Sequence, residues 1–200
     1  MPIIKPSLHH VTFRTSRLQE MVDWYGKVVG VTVTFQDEHN AWTTNDAANH
    51  RVAFLSVPGI VEDPDKFQHN CMHHSAFEYE SLDALMESYS RMAGENIKPA
   101  FCLHHGITIS LYYRDPDRNF VELQVDNFGD WAKSTRWMQV SEDFRTNSIG
   151  SFFDAEKVLQ AHKAGTDFET LSRDIRQGDY KPDVIPNIGL PEPDAVLRGL

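Results

Sequence analysis

The sequence contains only two cysteines, Cys71 and Cys102, and their spacing is not that of a metal-binding motif. We therefore expect a soluble protein of a reducing compartment, the cytoplasm. No run of about 18 apolar residues occurs, so we expect no membrane-spanning helix. The first six residues also lack the apolar segment that is typical of a secretory signal.

Basic residues are scarce as well. The chain has 19 lysines and arginines against 29 aspartates and glutamates, which gives a formal net charge of -10. This charge disfavours nucleic acid and anionic membrane surfaces as partners. Hydrophobic residues make up 40% of the chain, enough to bury a core. The unusual component is histidine: four of the ten histidines form two His-His pairs at repeat-related positions.

The two pairs open two similar segments of the chain. His9-His10 is followed by Phe13, His73-His74 is followed by Phe77, and each segment continues with one helical and several strand-like patterns. The repeat predicts an α+β fold of two tandem βαβββ modules, at about residues 8–60 and 72–127. We expect one domain over residues 1–130, followed by a C-terminal extension (131–200) with short helices and a proline-rich tail.

Several local features can be predicted within these modules. Residues 8–15 read as a strand, Ser16 as the N-cap of the following helix, and Gly30 as the end of that helix region. Residues 107–125 read as a hairpin whose turn contains Asn119, a residue type that tolerates a positive φ. Residues 60–70 are acidic and polar, which is typical of a linker.

Strand periodicity assigns the polar residues to one face of the predicted sheet. Successive side chains of a strand point to opposite faces. His10 therefore lies opposite Phe13, and His74 lies opposite Phe77. On the last strand, Glu122 lies opposite its apolar neighbours. We expect these two histidines and this carboxylate to share the open face, and a carboxylate enclosed there needs a cation or hydrogen-bond donors.

At these residues the chain becomes recognisable. The motifs are Leu8-His9-His10-Val11, His50-Arg51-Val52-Ala53-Phe54, His73-His74-Ser75-Ala76-Phe77 and the stretch from Tyr112 through Asp115-Pro116-Asp117-Arg118-Asn119 to Leu123. Together they resemble the vicinal oxygen chelate superfamily (glyoxalase, bleomycin resistance protein, dioxygenase). Within it, the chain is similar to the small one-domain type I extradiol catechol dioxygenases, whose modules form a curved mixed sheet that encloses a metal.

The resemblance implies a role for six residues. His10, His74 and Glu122 would be the metal ligands, a 2-His-1-carboxylate set that suits Fe(II), with Mn(II) as the alternative metal. His50 is similar to the acid–base histidine of the family. Tyr112 and His105 are similar to its substrate-binding tyrosine and second histidine, with His104 as the alternative to His105. Trp42 and Phe101 are assigned either to an aromatic pocket or to the core.

A fourth position distinguishes the reaction classes. In glyoxalase-like members of the superfamily, the first module supplies a further ligand equivalent to Glu122. Aligning residues 121–123 with residues 53–55 places Phe54 at that position, and a phenyl ring cannot bind a metal. This favours a dioxygenase that acts on O2 and a substituted catechol such as a biphenyl-2,3-diol. The alternatives are a glyoxalase-like lyase or isomerase and a non-catalytic resistance protein that binds small molecules. The tryptophans at 131 and 137 and the long extension favour a homo-oligomer.

Overall fold

The fold is described from a computed structural model, which describes residues 2–186 and 188. The chain forms two compact units. The first comprises the residues up to Pro64 together with Asp115–Arg118, and the second comprises the rest of the described chain from Asp65 onward. Within residues 2–186 and 188, no helix combines the length and the apolar character needed to cross a membrane.

The first unit is a βαβββ module. Its elements are β1 (Val11–Thr15), α1 (Leu18–Val28), β2 (Thr32–Gln36), β3 (Asn40–Thr44) and β4 (Val52–Ser56). The strands form a sheet in the order β1-β4-β3-β2, in which β1 and β4 run parallel and the other neighbours run antiparallel. The parallel pair follows from the connection through α1, since a helical crossover is what allows two strands to point the same way.

The core of the first unit forms between α1 and the sheet. Met21, Val22, Tyr25 and Val28 are buried at helical spacing, and the ring of Tyr25 packs at 5.1 Å from that of Phe54. The prediction of Ser16 as N-cap is wrong: Arg17 is the N-cap, and its backbone N–H donates to the Thr15 hydroxyl at 2.9 Å. That bond at the end of β1 delays the first helical turn to Leu18.

The second unit begins with the same module. Its elements are β5 (His74–Tyr79), α2 (Leu82–Gly94), β6 (Phe101–His104), β7 (Thr108–Arg114) and β8 (Phe120–Asp126). Ser81 caps α2, because its hydroxyl accepts the backbone N–H of Ala84. Strands β5 and β8 are parallel, as β1 and β4 are in the first unit. The repeat and the α+β class are therefore confirmed.

The C-terminal extension adds helices and one strand to the second unit. Its elements are α3 (Trp131–Val140), α4 (Glu142–Thr146), β9 (Ser151–Phe152), α5 (Ala155–Lys163) and α6 (Phe168–Gln177). Strand β9 pairs with β6 at Leu103 and His104, which gives the sheet order β5-β8-β7-β6-β9. The extension thus completes the second sheet. A domain boundary at residue 130 stays a prediction.

Two predictions for connecting segments need correction. The residue with positive φ in the turn after β7 is Arg118, at 65°. It adopts this conformation because its backbone N–H closes the turn onto the carbonyl of Asp115 at 2.8 Å. The side chain of Asn119 instead accepts a hydrogen bond from Lys66 Nζ at 2.6 Å. Lys66 belongs to a short 3-10 turn, Lys66–Gln68, within the segment predicted as a linker.

Candidate metal and substrate site

His74 and Glu122 meet on one face of the second sheet. Ala76 pairs with Glu122 between the parallel strands β5 and β8, and His74, two residues before Ala76, points to the same face. The Nε2 atom of His74 lies 3.1 Å from the Oε2 atom of Glu122. The face predicted from strand periodicity thus brings this histidine and this carboxylate into direct contact.

Glu122 is a buried carboxylate with several compensating neighbours. Only 4% of the residue is exposed. Burial, the largest influence, acts to raise the pKa of its carboxyl group. Hydrogen bonds with His74 and Ser110 and the nearby imidazoles outweigh burial, and the net pKa lies below its ordinary value. An ionised carboxylate that a strand holds away from water is a suitable ligand for a cation.

Ser110 is a site residue that the sequence analysis missed. It is fully buried on β7 and hydrogen bonds with Glu122, and its hydroxyl lies 3.0 Å from that of Thr108. The signal for it was present, because the polar residues Thr108, Ser110 and Tyr112 alternate along β7. That alternation predicts a strand, and it also places Ser110 on the same face as Tyr112. Ser110 orients the carboxylate that the sequence had identified.

Tyr112 and His105 form a second pair on the same sheet. Tyr112 is directly opposite Glu122 in the antiparallel register of β7 and β8, and its hydroxyl lies 2.9 Å from Nε2 of His105. Burial, followed by the charge of Glu122, raises the pKa of Tyr112, so that it stays a phenol. Burial also lowers the pKa of His105. A neutral imidazole and a neutral phenol are therefore held in hydrogen-bonding contact.

The structure gives different partners to His104 and His105, the two alternatives for the second histidine. His104 is 1% exposed, and its Nε2 atom lies 2.8 Å from the hydroxyl of Ser172 on α6. Its Nδ1 atom accepts the backbone N–H of Gly106 at 3.0 Å. Burial, with a contribution from Arg176, lowers the pKa of His104 to about 4. The structure thus joins His105 to Tyr112 and His104 to the C-terminal extension.

In the first unit, three histidines come together beside the start of β1. One ring nitrogen from each of His9, His10 and His50 lies within 4.8 Å of the others. Among the described residues, these three side chains form the group that is close enough to bind one metal ion. The predicted orientation of the strand is confirmed, since Phe13 is buried while Thr12 and Arg14 are exposed. His10 and His50, whose rings are 4.3 Å apart, are thus neighbours on the open face.

A hydrogen bond to Asn49 orients the ring of His50. Its Nδ1 atom is 2.7 Å from Oδ1 of Asn49, an acceptor, so Nδ1 carries the proton and Nε2 keeps its lone pair. Partial burial and then the imidazoles of His10 and His9 lower the pKa of His50. The adjacent Arg51 donates to the carbonyl of His9 at 2.9 Å. These contacts hold a neutral base beside His10.

The structure corrects the position expected to be equivalent to Glu122. Glu122 pairs with Ala76 in the second sheet, and the corresponding pair in the first sheet is Thr12 with Ala53. Phe54 pairs with Phe13 and packs in the core, so the alignment that placed Phe54 there was wrong by one residue. The methyl group of Ala53 cannot bind a metal either. The first module therefore still offers no carboxylate at this position.

The same register relates two aromatic pairs. Trp42 lies opposite Ala53 as Tyr112 lies opposite Glu122, and each ring has an aromatic neighbour on the adjacent strand. Phe35 is 5.1 Å from Trp42, and Phe101 stacks on Tyr112 at 4.4 Å. Phe101 is buried in the core of the second unit, whereas Trp42 is partly exposed. Of the two aromatic residues with alternative assignments, Phe101 thus supports Tyr112 from within the core.

The donor atoms of the second unit fit a transition metal. Two ligands at right angles with bonds of about 2.1 Å lie about 3.0 Å apart, and the atoms of His74 and Glu122 are 3.1 Å apart. An imidazole nitrogen and an ionised carboxylate are also the ligand types of a 2-His-1-carboxylate site, which keeps positions open for other molecules. His74 and Glu122 could therefore hold two coordination positions of one metal ion.

Comparisons with known proteins identify the family of the chain. A family model described as the Glyoxalase/Bleomycin resistance protein/Dioxygenase superfamily matches residues 7–123. Biphenyl-2,3-diol 1,2-dioxygenase 2 of Rhodococcus globerulus is 36% identical over 182 residues, which cover 91% of this chain and 94% of that protein. Biphenyl-2,3-diol 1,2-dioxygenase 3 of the same organism is 36% identical over 163 residues, or 81% of this chain and 85% of that protein.

Solved structures share the fold at lower sequence identity. A glyoxylase/bleomycin resistance protein/dioxygenase domain from a Frankia species superposes with a TM-score of 0.51 at 17% identity, over 62% of this chain and 93% of that one. A glyoxalase/dioxygenase from Nostoc punctiforme gives a TM-score of 0.50 at 15% identity, over 63% and 97%. With the repeated module and the match over residues 7–123, the chain belongs to the glyoxalase/bleomycin resistance protein/dioxygenase superfamily.

Proposed function

We propose that the protein is an extradiol dioxygenase that opens the ring of a catechol beside its two hydroxyl groups and incorporates both atoms of O2. The curated relatives support this, since two biphenyl-2,3-diol 1,2-dioxygenases are 36% identical over most of the chain. The observation that carries the proposal is the contact between the partly exposed His74 and the buried Glu122, together with Ala53 at the counterpart of Glu122. A biphenyl-2,3-diol or a similar substituted catechol is the proposed substrate.

The proposed metal is Fe(II), with Mn(II) as the alternative, and the resemblance assigns His10, His74 and Glu122 as its ligands. A set of three protein ligands would leave coordination positions open for other molecules. When bound, the metal supplies the route by which electrons pass between the catechol and O2. Ser110 keeps Glu122 ionised and oriented through its hydrogen bond.

His50 is proposed as the base that takes a proton from a catechol hydroxyl. Its Nε2 atom has a free lone pair because Nδ1 faces the acceptor oxygen of Asn49. The lowered pKa of its ring keeps it neutral before substrate arrives. A positioned base of this kind contributes about 10²- to 10⁴-fold to a rate. The protonated ring of His50 can later return this proton to an oxygen atom of the substrate.

Tyr112 and His105 are proposed to hold and protonate an oxygen atom of the substrate or of O2. Tyr112 pairs with Glu122 between β7 and β8, and its hydroxyl contacts Nε2 of His105 at 2.9 Å. His105 can take up a proton that the catechol releases, and the pair can then deliver that proton through the hydroxyl of Tyr112 to an oxygen bound near Glu122. Both groups are neutral at rest, so they add no charge that would repel the metal.

The test measures oxygen uptake by anaerobically prepared, ferrous protein when 2,3-dihydroxybiphenyl or catechol is added. We expect one O2 consumed per substrate, a yellow ring-opened product and, with ¹⁸O₂, label at both new oxygen positions. Glu122→Gln should abolish uptake and metal retention, whereas Glu87→Gln, an exposed position on α2, should leave both unchanged. Turnover of a hemithioacetal without O2, or catechol binding without uptake by metal-replete protein, would replace the proposal with a lyase or a binding protein.

A further inference from the structure

His73 connects the C-terminal tail to His74. The Nε2 atom of His73 lies 3.1 Å from the backbone carbonyl oxygen of Ile188. Its Nδ1 atom lies 2.8 Å from Nδ1 of His74. The other nitrogen of His74, Nε2, faces Glu122. Ile188, His73, His74 and Glu122 therefore form a continuous chain of polar contacts within the second unit.

This chain determines which nitrogens carry protons. A carbonyl oxygen can only accept a hydrogen bond, so the proton of His73 must sit on Nε2. A neutral imidazole has one N–H, so Nδ1 of His73 is then an acceptor. Without a metal, Nε2 of His74 is the donor to the ionised carboxylate of Glu122, and once a metal takes Nε2 the remaining proton of His74 is on Nδ1 and donates to His73. That is the tautomer in which His74 can bind a metal next to Glu122.

The carbonyl of Ile188 is held in place by packing. Ile188 is 9% exposed and belongs to an apolar cluster of the second unit with Phe101, Leu103, Tyr112 and Phe120. The ring of His73 itself lies 5.2 Å from that of Phe120. A side chain anchored in this cluster fixes the position of its own carbonyl group. The geometry around His73 is thus set by apolar contacts as well as by hydrogen bonds.

The first repeat contains only part of this arrangement. Nδ1 of His9 lies 3.1 Å from Nδ1 of His10, which repeats the contact between the two histidines. His9 is exposed, however, and its ring lies next to that of His50 rather than against an apolar cluster. The His-His sequence therefore places one imidazole nitrogen against the next in both modules, and the tail fixes the tautomer of His73 in the second.

We propose that His73 and Ile188 are positioning residues: His73 accepts the Nδ1 proton of the metal-bound His74, and Ile188 holds His73 in place. The identity of the metal rests on the proposed function, but the ligating nitrogen of His74 and the metal affinity can be measured without any catechol. A partner that orients a ligating histidine is typically worth about 10- to 100-fold in metal affinity. The tail thereby becomes part of the metal site without supplying a ligand to it.

The experiment uses the full-length protein, stripped of metal and then titrated with Co(II). Long-range ¹H–¹⁵N spectra of the Zn(II)-loaded protein should show His74 bound through Nε2, with its proton on Nδ1. His73→Ala should weaken Co(II) binding by about 10- to 100-fold and allow His74 to bind Zn(II) through either nitrogen. His73→Asn, whose amide oxygen can take the place of Nδ1, should restore the affinity and the binding through Nε2. Ile188→Ala should weaken binding by several-fold, while Ile185→Ala, at a position 71% exposed, and His39→Ala, at an exposed turn, should not.

Each other result overturns the proposal. Binding of Zn(II) through Nδ1 of His74 in the wild-type protein, with the proton on Nε2, would do so alone, even if a variant failed to fold. Equal losses in His73→Ala and His73→Asn would reduce His73 to a packing residue. If O2 uptake is absent but the tautomer and the Co(II) affinities behave as expected, the proposed reaction fails and the positioning role stands.

Discussion

Ala53 occupies in the first sheet the register position that Glu122 occupies in the second. Ala53 pairs with Thr12 between parallel strands as Glu122 pairs with Ala76. The two modules are therefore alike in backbone pairing but not in chemistry, because one position carries a methyl group and the other an ionised carboxylate. Of these two equivalent positions, only Glu122 can supply a carboxylate ligand, as the proposed oxygen chemistry requires.

Phe54, which the sequence suggested for that position, should prove to be a core residue. Phe54→Ala is expected to lower the free energy of unfolding by about 3–5 kcal/mol, because it removes a fully buried ring that packs on Phe13 and Tyr25. Phe35→Ala, at a half-exposed position of β2, is the control and should cost about 1 kcal/mol or less. Urea unfolding curves measure both values. Similar small losses in the two variants would contradict the pairing of Phe54 with Phe13.

Adjacent tyrosines on β7 allow a matched test of the proposed role of Tyr112. Tyr112→Phe should lower kcat for catechol by about 10²-fold, because the hydroxyl that contacts His105 is lost. The ring should keep its stacking on Phe101, so the protein should stay folded. Tyr113→Phe is the control. The buried hydroxyl of Tyr113 has no hydrogen-bond partner among the described residues, and its removal should leave kcat unchanged and stability equal or higher. Equal kcat values for the two variants would exclude Tyr112 from the reaction.

Gly106 is required in the turn that carries His105. Its φ is 85°, and a Cβ atom there would collide with the indole of Trp137. Gly165 has a similar φ of 88° with open space around it. Gly165→Ala should therefore cost only the backbone strain, about 1 kcal/mol. Gly106→Ala should cost about twice that or more, because the clash is added, and should change the fluorescence of Trp137. Thermal unfolding compares the two, and equal costs would show that the indole moves away freely.

His104 should make the protein sensitive to acid. Its folded-state pKa is about 4, against about 6.5 in an unfolded chain. Between these values the unfolded chain binds a proton that the folded protein does not, so stability is complete above about pH 6.5 and falls as the pH is lowered toward 4. The full loss amounts to roughly 3 kcal/mol.

Urea unfolding at several pH values across this window measures the effect. His104→Gln removes the titrating group and should flatten the dependence of the free energy of unfolding on pH. His39→Gln, at an exposed turn, should retain the wild-type slope. An unchanged slope in His104→Gln would assign the acid sensitivity to other groups.

Much of the fold could be predicted because the repeat is visible in the sequence. The periodicity of helices and strands is local, and it is sufficient to place Phe13 on the core side and Glu122 on the open side. The register between strands is not local. Residues 52–55 are all apolar, so a shift of one residue leaves the pattern unchanged while it exchanges the faces of Ala53 and Phe54. Only the hydrogen-bonded pairing with β1 decides between them.

The contacts between the C-terminal extension and the site histidines could not be predicted from the sequence, for a related reason. Ile188 reaches His73 across more than half the chain, and the roles of His104 and His105 are separated by α6, which engages only His104. Contacts of this kind depend on where the extension docks, and short helical patterns contain no information about docking. Ser110 differs, because its place on the open face followed from the alternation along β7.

Strand β9 has a further consequence for solubility. It covers β6 at Leu103 and His104, and without it β6 would present unpaired backbone groups at the edge of the second sheet. Such an edge can pair with the same edge of another chain and lead to aggregation. Strand β9 thus also protects the protein from association through the edge of its own sheet. Truncating the chain before residue 151 would remove this protection together with the contacts of the extension that support the turn with His105.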